Sequence, residues 1–195
     1  MAEVLQDLME HMAQEFPGFR VRFKDRAWHQ RALGVGLKGV GVKRYLTNFV
    51  TVFGNTVWWP SEQMFRRNEK QAASVLLHER VHLWDRRRMG LLFDASYVAA
   101  GPTVWTMRAH WERRAYAVDI VRLSRMGRPP AWTKAWLTPL FSKHEYAFMW
   151  PFPDEIHAWV DRVLDEGLST EVKYDGDEEL YATTETWLER LLEAS

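Results

Sequence analysis

Residues 72–82, AASVLLHERVH, lie at the centre of a helical pattern that extends from Asn68 to Arg88 and ends near Gly90. Apolar and chemically functional residues recur there at spacings of three and four, the period of one helix face. The residues on this broad face are Ala72, Val75, Leu76, Glu79 and His82. The apolar approach to His78 predicts that the helix carries its histidines into a cleft that faces the core.

The histidines His78 and His82 are four residues apart, so on a helix both imidazoles lie on one face and can bind one ion at about 2.0 to 2.1 Å. Glu79 follows the first histidine directly and lies beside the ion, where it can take a proton from a coordinated water. Zinc lowers the pKa of such a water from about 15.7 to about 7. The motif therefore predicts zinc on the two histidines, with Glu79 as the general base. Two histidines on an ordinary amphipathic face are the alternative.

A second long helix is predicted from Thr103 to Met126, and it carries the best candidate for a third ligand. Glu112 lies midway along it, and the small residue Ala115 one turn later lets two helices approach closely. The chain contains no cysteine, so nitrogen and oxygen must supply every metal ligand. We therefore predict that Glu112 completes the zinc site. The alternative is a surface glutamate paired with Arg108 or Arg113.

Strand patterns precede these helices. Phe19 to Phe23 alternates apolar and basic residues, and Tyr45 to Phe53 is rich in β-branched and aromatic residues. A Gly54-Asn55 turn signal then leads to the run Thr56 to Trp59. Pro60 follows that run, and proline is tolerated best at the edge of a sheet. These runs predict a β-meander of three or four strands with Thr56 to Trp59 at its edge.

The order of the elements sets the fold class. Strands come before the long helices instead of alternating with them, which disfavours a doubly wound sheet. We expect an α+β fold, in which a small mixed or antiparallel sheet packs on a helical layer that carries the His78 and Glu112 helices. A chain of 195 residues is predicted to form one domain, residues 1–195.

The C-terminal part differs from the rest in charge. Residues 154–195 carry thirteen acidic and three basic side chains, a net charge of −10, and the rest carries +10 because the whole chain is neutral. Two helices are predicted in this acidic tail, at about Asp154 to Glu166 and Thr184 to Glu193, after a loop over Phe141 to Phe152. We interpret the tail as an acidic helical surface packed on a basic one. A tail that screens a site or meets a partner is the alternative.

Features of membrane and exported proteins are missing from the sequence. No apolar run approaches the roughly 18 residues of a membrane span. The first helical pattern, Met1 to Gln14, contains Glu3, Asp7 and Glu10 and so differs from a signal peptide. We therefore expect a cytoplasmic protein with no membrane partner.

A strand, the His78-Glu79-x-x-His82 helix and a glutamate on a following helix occur in this order between Tyr45 and Arg125. In this arrangement the chain resembles the compact, minimal forms of the gluzincin HExxH zinc metallopeptidases. The resemblance implies a zinc metallopeptidase that cleaves peptides or proteins, with Glu79 as base and zinc on His78, His82 and Glu112. It also implies that an extended substrate pairs with an edge strand, formed here by Thr56, Val57, Trp58 and Trp59.

The chain departs from the larger gluzincins at one position. These often have an aspartate four residues after the ligand glutamate, where this chain has Tyr116. Either Asp119 or Asp85 is predicted instead to hydrogen-bond the free ring nitrogen of a ligand histidine. A residue that stabilises the transition state from across the cleft is also expected, and His144 and Tyr146 are the candidates.

Two other classes of function are compatible with the same sequence. In the first, the chain is an inactive metallopeptidase-like module that binds a protein or nucleic acid through Trp58, Trp59 and the basic run Arg86 to Arg88. Nucleic acid is the less favoured partner, because a short arginine run at the end of a helix is most often capping and solvation. In the second, the metal is a structural element with no open coordination position.

Overall fold

The computed structural model describes residues 1–27, 50–98, 107–142 and 150–194, in which a small mixed sheet packs on helices. This architecture confirms the predicted α+β fold. Most of the predicted strand Tyr45 to Phe53, the first residues of the Thr103 to Met126 helix, and the candidates His144 and Tyr146 lie outside the described residues. None of the described helices is long and apolar enough to cross a membrane.

The described part of the chain begins with one helix, continues with three short strands and ends with a series of helices. In chain order they are α1 (Ala2–Glu15), β1 (Arg20–Phe23), β2 (Thr51–Phe53), β3 (Thr56–Trp59), α2 (Glu62–Arg67), α3 (Glu69–Met89), α4 (Leu91–Val98), α5 (Met107–Arg125), α6 (Pro130–Ser142), α7 (Pro153–Glu166) and α8 (Asp177–Glu193). Short 3₁₀ turns cover Lys24–Arg26 and Gly167–Glu171.

The central element is α3, the helix predicted from the histidine motif. It begins after Asn68, whose side chain accepts a hydrogen bond from the backbone N–H of Gln71 at 3.0 Å, and it ends at Gly90, which has a φ of +60°. Between positions 72 and 85 every side chain except that of Val75 is buried, because α1, α5 and α8 pack around the helix. The sequence pattern indicated one buried face, whereas α3 is buried on all sides over this range.

The sheet has the strand order β1-β3-β2, so β3 lies in the middle. A two-residue turn at Gly54 and Asn55 joins β2 to β3 in an antiparallel hairpin, with Gly54 at a φ of +59°. β1 pairs with the other side of β3 in parallel, with Phe23 opposite Trp59. The predicted hairpin is confirmed, and the predicted meander is wrong, because a parallel pairing needs a crossover that the local pattern does not reveal.

The predicted substrate edge at Thr56 to Trp59 is also wrong. Both sides of β3 are hydrogen-bonded to neighbouring strands, so this strand offers no free backbone ladder to an extended peptide. Trp58 is 6 % exposed and Trp59 is 1 % exposed. Pro60 follows the strand, where its missing N–H interrupts no pairing, and its carbonyl accepts a hydrogen bond from the N–H of Asp25 at 3.3 Å.

Helix is more extensive than the sequence predicted. α2, α4 and α6 were not expected, and α8 begins at Asp177 instead of Thr184. α6 contains Pro139, which removes one helical hydrogen bond. The buried side chains of Leu137 and Phe141 offset this loss, since α6 packs against α5 and α7. The loop predicted over Phe141 to Phe152 therefore begins inside α6, which ends at Ser142.

The acidic tail is part of the domain core. The predicted helix at Asp154 to Glu166 is present as α7, which packs on α5 and α6, and α8 packs on α1 and α3. The tail contributes to the same buried cluster as the motif helix through Trp159, Val160, Val163, Leu168, Leu180, Tyr181, Trp187, Leu188 and Leu191. Residues 154–194 thus belong to the fold, which favours packing over screening of the site.

Candidate metal centre

Three predicted ligands lie together between α3 and α5. His78, His82 and Glu112 each offer one ligand atom, and these atoms lie within 4.8 Å of one another. Glu112 Oε2 is 3.7 Å from His78 Nε2 and 3.9 Å from His82 Nε2. Two atoms bound to one zinc ion at 2.0 to 2.1 Å are about 3.4 Å apart in a tetrahedron. The observed separations are slightly longer and leave room for an ion, so this group can hold a metal.

The local sequence explains how the ligands meet. His78 and His82 lie one turn apart on α3, and Glu112 reaches them from the facing helix α5. Ala115 follows one turn after Glu112 and is fully buried, as expected of a small residue that lets two helices approach closely. All three ligand side chains are buried, with exposures of 9 %, 2 % and 6 %.

His78 is oriented by Asp119, one of the two aspartates predicted for this role. The Nδ1 atom of His78 lies 2.7 Å from Asp119 Oδ2. A carboxylate accepts hydrogen bonds, so Nδ1 carries a proton and donates it, which leaves Nε2, on the side of Glu112, as the ring nitrogen that can bind a metal. Arg122 lies 3.4 Å from the other oxygen of Asp119 and holds the carboxylate from the far side.

Asp85, the other predicted support, does not contact the ligand histidines. Its carboxylate is fully buried and accepts a hydrogen bond from Nε of Arg114 at 3.1 Å, and its other oxygen lies 3.0 Å from Nη2 of the same guanidinium group. The same guanidinium group donates to both oxygens of Asp177 at 2.8 Å and to the carbonyl of Glu171 at 2.7 Å. The prediction for Asp85 is wrong because a buried arginine on α5 binds this carboxylate. We call Arg114 with these three partners the arginine clamp.

Burial and neighbouring charges set the protonation of the ligands. Burial lowers the pKa of His82 to about 3, so its imidazole is neutral and can donate a lone pair. Burial acts to raise the pKa of Glu112, but His78, His82 and Arg108 lower it to about 2 and keep the group anionic. Burial acts to lower the pKa of His78, but the carboxylates of Asp119 and Glu112 raise it to about 10. A metal ion binding there must displace a proton.

Glu79, the predicted base, is the next residue after the first ligand and is itself buried, at 5 % exposure. Burial raises the pKa of its carboxyl group to about 7. The charge of His78 acts to lower this pKa, and the charge of Glu112 acts to raise it. A carboxyl group with a pKa near neutrality can both accept and return a proton. Its surroundings therefore suit the role predicted from the motif.

Two aromatic side chains border the ligands. The ring of Tyr116 meets the His78 ring edge-on, with 4.7 Å between the centroids, and the ring of Phe93 lies 6.1 Å from that of His82. Phe93 belongs to α4, which the sequence pattern did not indicate. Tyr116 stands where the larger gluzincins have an aspartate. Here an apolar ring contact occupies that place, and Asp119 provides the hydrogen bond to His78.

Lys24 is a buried charged residue that the sequence analysis missed. It is 0 % exposed, and burial lowers the pKa of its ammonium group to about 7 while the charge of Glu79 acts to raise it. The alternation of Phe19 to Phe23 gave no reason to single out the next basic residue. The only signal was its position at the end of the strand pattern.

The residues proposed for nucleic-acid binding are engaged within the protein. The guanidinium group of each arginine in the basic run contacts another part of the fold, and both tryptophans of β3 are buried. The partners are Asp94 and Asn55 for Arg86, the backbone carbonyl of Glu15 for Arg87, and the ring of Tyr174 for Arg88. These residues therefore give no support to a nucleic-acid module.

Comparison of the chain with protein-family models, with curated proteins and with solved structures gave no match. The functional argument therefore rests on the residues of the site and their geometry.

Proposed function

We propose that this protein is a zinc-dependent hydrolase, and specifically an HExxH metallopeptidase of the gluzincin kind that cleaves peptides or proteins. The observation that carries the proposal is the buried group of His78, His82 and Glu112, with Glu79 next to it in the chain. The hydrogen bond from His78 to Asp119 adds to this support, because such a bond orients a ligand histidine.

Zinc is the proposed metal because of the donor set. Two imidazoles and one carboxylate are the protein ligands of several catalytic zinc sites, which keep a fourth position open. Calcium and magnesium prefer oxygen donors, and the two histidines here do not meet that preference. A zinc ion held by these residues supplies Lewis-acid activation of water and of the substrate carbonyl.

The side chains of the protein have separate tasks in the proposed reaction. His78, His82 and Glu112 hold the metal, and Asp119 fixes the ring of His78. Glu79 accepts a proton from the attacking water while the oxygen of that water bonds to the carbonyl carbon of the substrate. When the C–N bond breaks, Glu79 returns this proton to the leaving nitrogen. The buried setting strengthens these electrostatic interactions because bulk water is excluded.

A peptide or protein substrate is proposed from the resemblance to gluzincins. The central strand β3 does not bind it by strand addition, since both its edges are paired. The alternative of an inactive module is tested by the same experiment that tests catalysis.

The test combines metal analysis with a Glu79→Gln variant. We expect about one zinc per chain in both proteins and hydrolysis of a mixed peptide library by the wild type only. Loss of the base is expected to lower kcat by roughly 10²- to 10⁴-fold. Glu69→Gln is the matched control, because it changes a glutamate in the first turn of the same helix. A zinc-loaded wild type that cleaves no peptide would contradict the peptidase proposal, and an active Glu79→Gln variant would contradict the role of Glu79.

A further inference from the structure

A row of aromatic side chains leads from the metal centre to the protein surface. Its inner member is Tyr116 on α5, whose ring meets that of His78 edge-on, with 4.7 Å between the centroids. The ring of Trp136 on α6 lies 5.8 Å from that of Tyr116, and the ring of Trp132 stacks on Trp136 at 6.1 Å. We call Tyr116, Trp136 and Trp132 the aromatic row.

Helical spacing places these residues in line. Tyr116 lies one turn after Glu112 and shares a face of α5 with that ligand. Trp132 and Trp136 are four residues apart on α6, so both indoles lie on one face of that helix. Because α6 packs on α5, the inner end of the row is fixed beside the metal ligands.

The row becomes more exposed with distance from the centre. His78 is 9 % exposed, Tyr116 and Trp136 are partly buried, and Trp132 is 42 % exposed. A single exposed apolar residue is common on protein surfaces, but Trp132 continues a line of rings that ends at a metal-binding histidine. Exposed apolar surface that is continuous with a candidate active site indicates a place where a ligand binds.

The outer indole is held in place although it is exposed. The guanidinium carbon of Arg128 lies 5.0 Å from the centroid of the Trp132 ring. The ring of Trp136 is nearly parallel to the same ring, at an interplanar angle of 15°. A ring that its neighbours already hold loses little conformational freedom when a ligand binds, so the row is a preformed surface.

The spacing of the rings fits an extended peptide. Side chains on one side of such a chain are about 7 Å apart, because each residue advances about 3.3 to 3.4 Å and alternate side chains share a side. The centroid separations of 5.8 and 6.1 Å in the row are close to this repeat. A peptide whose carbonyl group reaches the metal can therefore place alternate side chains against Trp136 and Trp132.

We propose that the aromatic row is a substrate-binding subsite of the metal centre, and that it binds aromatic or large apolar side chains of an extended peptide. This proposal rests on the proposed hydrolase function and adds a substrate class to it. Tyr116 forms the end of the subsite nearest the metal, and Trp136 and Trp132 bind side chains farther from the scissile bond.

Binding is measured on the zinc-loaded Glu79→Gln variant, in which loss of the proposed base keeps the peptide intact. The two probes are the pentapeptide amides N-acetyl-Ala-Phe-Ala-Phe-Ala and N-acetyl-Ala-Ala-Ala-Ala-Ala. We expect the phenylalanine peptide to bind about 10-fold more tightly, because one aromatic pair contributes roughly a 2- to 12-fold gain beyond the area that it buries. Equal affinities for the two peptides would overturn the proposal.

Substitutions then locate the binding. Trp136→Ala and Trp132→Ala should each weaken binding of the phenylalanine peptide by roughly 2- to 12-fold and leave the alanine peptide unaffected. Tyr174→Ala is the matched control, because this ring is 38 % exposed and also lies under an arginine, Arg88, but contacts His110 instead of the row. Trp132→Ala removes an exposed ring, so it decides the test even if Trp136→Ala does not fold. Unchanged binding in Trp132→Ala, or an equal loss in Tyr174→Ala, would contradict the assignment.

The occupant of the row is tested further by sedimentation. A dimer of the wild type that dissociates in Trp132→Ala would overturn the proposal, because a second copy of the chain would then cover the row. A monomer at all concentrations leaves the row accessible to a peptide and supports the proposal.

Kinetics separate this proposal from the proposed function. In an active wild type, Trp132→Ala should raise KM for the phenylalanine peptide and leave kcat unchanged, because side-chain binding away from the metal is the same in the ground and transition states. An active wild type that hydrolyses both peptides equally well would refute the subsite alone. A wild type that hydrolyses neither peptide would refute the proposed function, and tighter binding of the phenylalanine peptide would then still support the row as a binding surface.

Discussion

Replacing Arg114 by Met is expected to destabilise the protein strongly. The arginine clamp joins α5 to Asp85 on α3, to Asp177 at the start of α8 and to the carbonyl of Glu171, and Arg114, Asp85 and Asp177 are 0 % exposed. Methionine fills much of the same space but removes the charge and all of these hydrogen bonds. The two aspartates would then face each other in the core with only the more distant guanidinium group of Arg88, 3.5 Å from each, as a counter-ion.

The magnitude follows from this burial. Breaking a buried ion pair by removing one partner costs about 3 to 5 kcal/mol, because the remaining charge is uncompensated. For a chain of 150 to 250 residues, each kcal/mol lowers the melting temperature by about 2 to 4 °C. The expected decrease for Arg114→Met is therefore about 6 to 20 °C.

Thermal unfolding followed by circular dichroism measures this decrease. Arg190→Met is the matched control, because Arg190 also joins distant segments through an aspartate, Asp7, but both side chains are about 40 % exposed. An exposed pair of this kind contributes about 0 to 1 kcal/mol. Equal decreases for the two variants would refute the argument that burial sets the cost.

The loss should also depend on pH. Burial raises the pKa of Asp85 to about 6 even with Arg114 present, and without the guanidinium group this pKa rises further. A carboxyl group with a raised pKa in the folded state binds more protons there than in the unfolded chain, so stability falls as pH increases through that pKa. Arg114→Met should therefore be more destabilising at pH 8 than at pH 6.

Three further outcomes are expected. Glu112→Gln should markedly weaken zinc binding in a chelator competition assay, whereas Asp94→Ala should not, because Asp94 pairs with an arginine outside the centre. Asp119→Ala should lower zinc affinity or activity by about 10- to 100-fold, and Asp161→Ala, which removes an exposed aspartate, should leave both unchanged. Burial, with nearby arginine charges, lowers the pKa of His110 to about 4. Between pH 6.5 and 4 this histidine is therefore protonated in the unfolded chain and neutral in the folded one. Stability should thus fall from pH 6.5 to 4, and His110→Gln should reduce this slope in denaturant titrations.

Local sequence signals were sufficient for the elements that carry the site. Asn68 and Gly90 delimit α3 because a side-chain cap and a positive φ are local requirements. The four-residue spacing of the histidines fixes their common face in any helix. Asp119 could be predicted since it lies two turns after Glu112, on the same side of α5.

Features that depend on distant segments could not be predicted. The parallel pairing of β1 with β3 joins strands with more than thirty residues between them, and no local pattern specifies it. Asp85 has the spacing of a residue that supports His82, but spacing does not show that Arg114 binds it from α5. The early start of α8 follows from the same contact, because Asp177 is buried against that arginine.

The fold and the metal centre share one helix contact. His78 pairs with Asp119 and His82 lies near Glu112, so α3 and α5 run antiparallel along the site. The apolar core around these helices, together with the arginine clamp, extends well beyond the three ligands. A domain of this kind has a scaffold that does not depend on the ion, in contrast to zinc fingers, which are unfolded without metal. A metal ion held by the three residues would then add stability by mass action, in proportion to the logarithm of metal concentration over Kd. The proposed catalytic role of the metal is compatible with such a scaffold, because the extensive core provides packing that does not involve the three ligands.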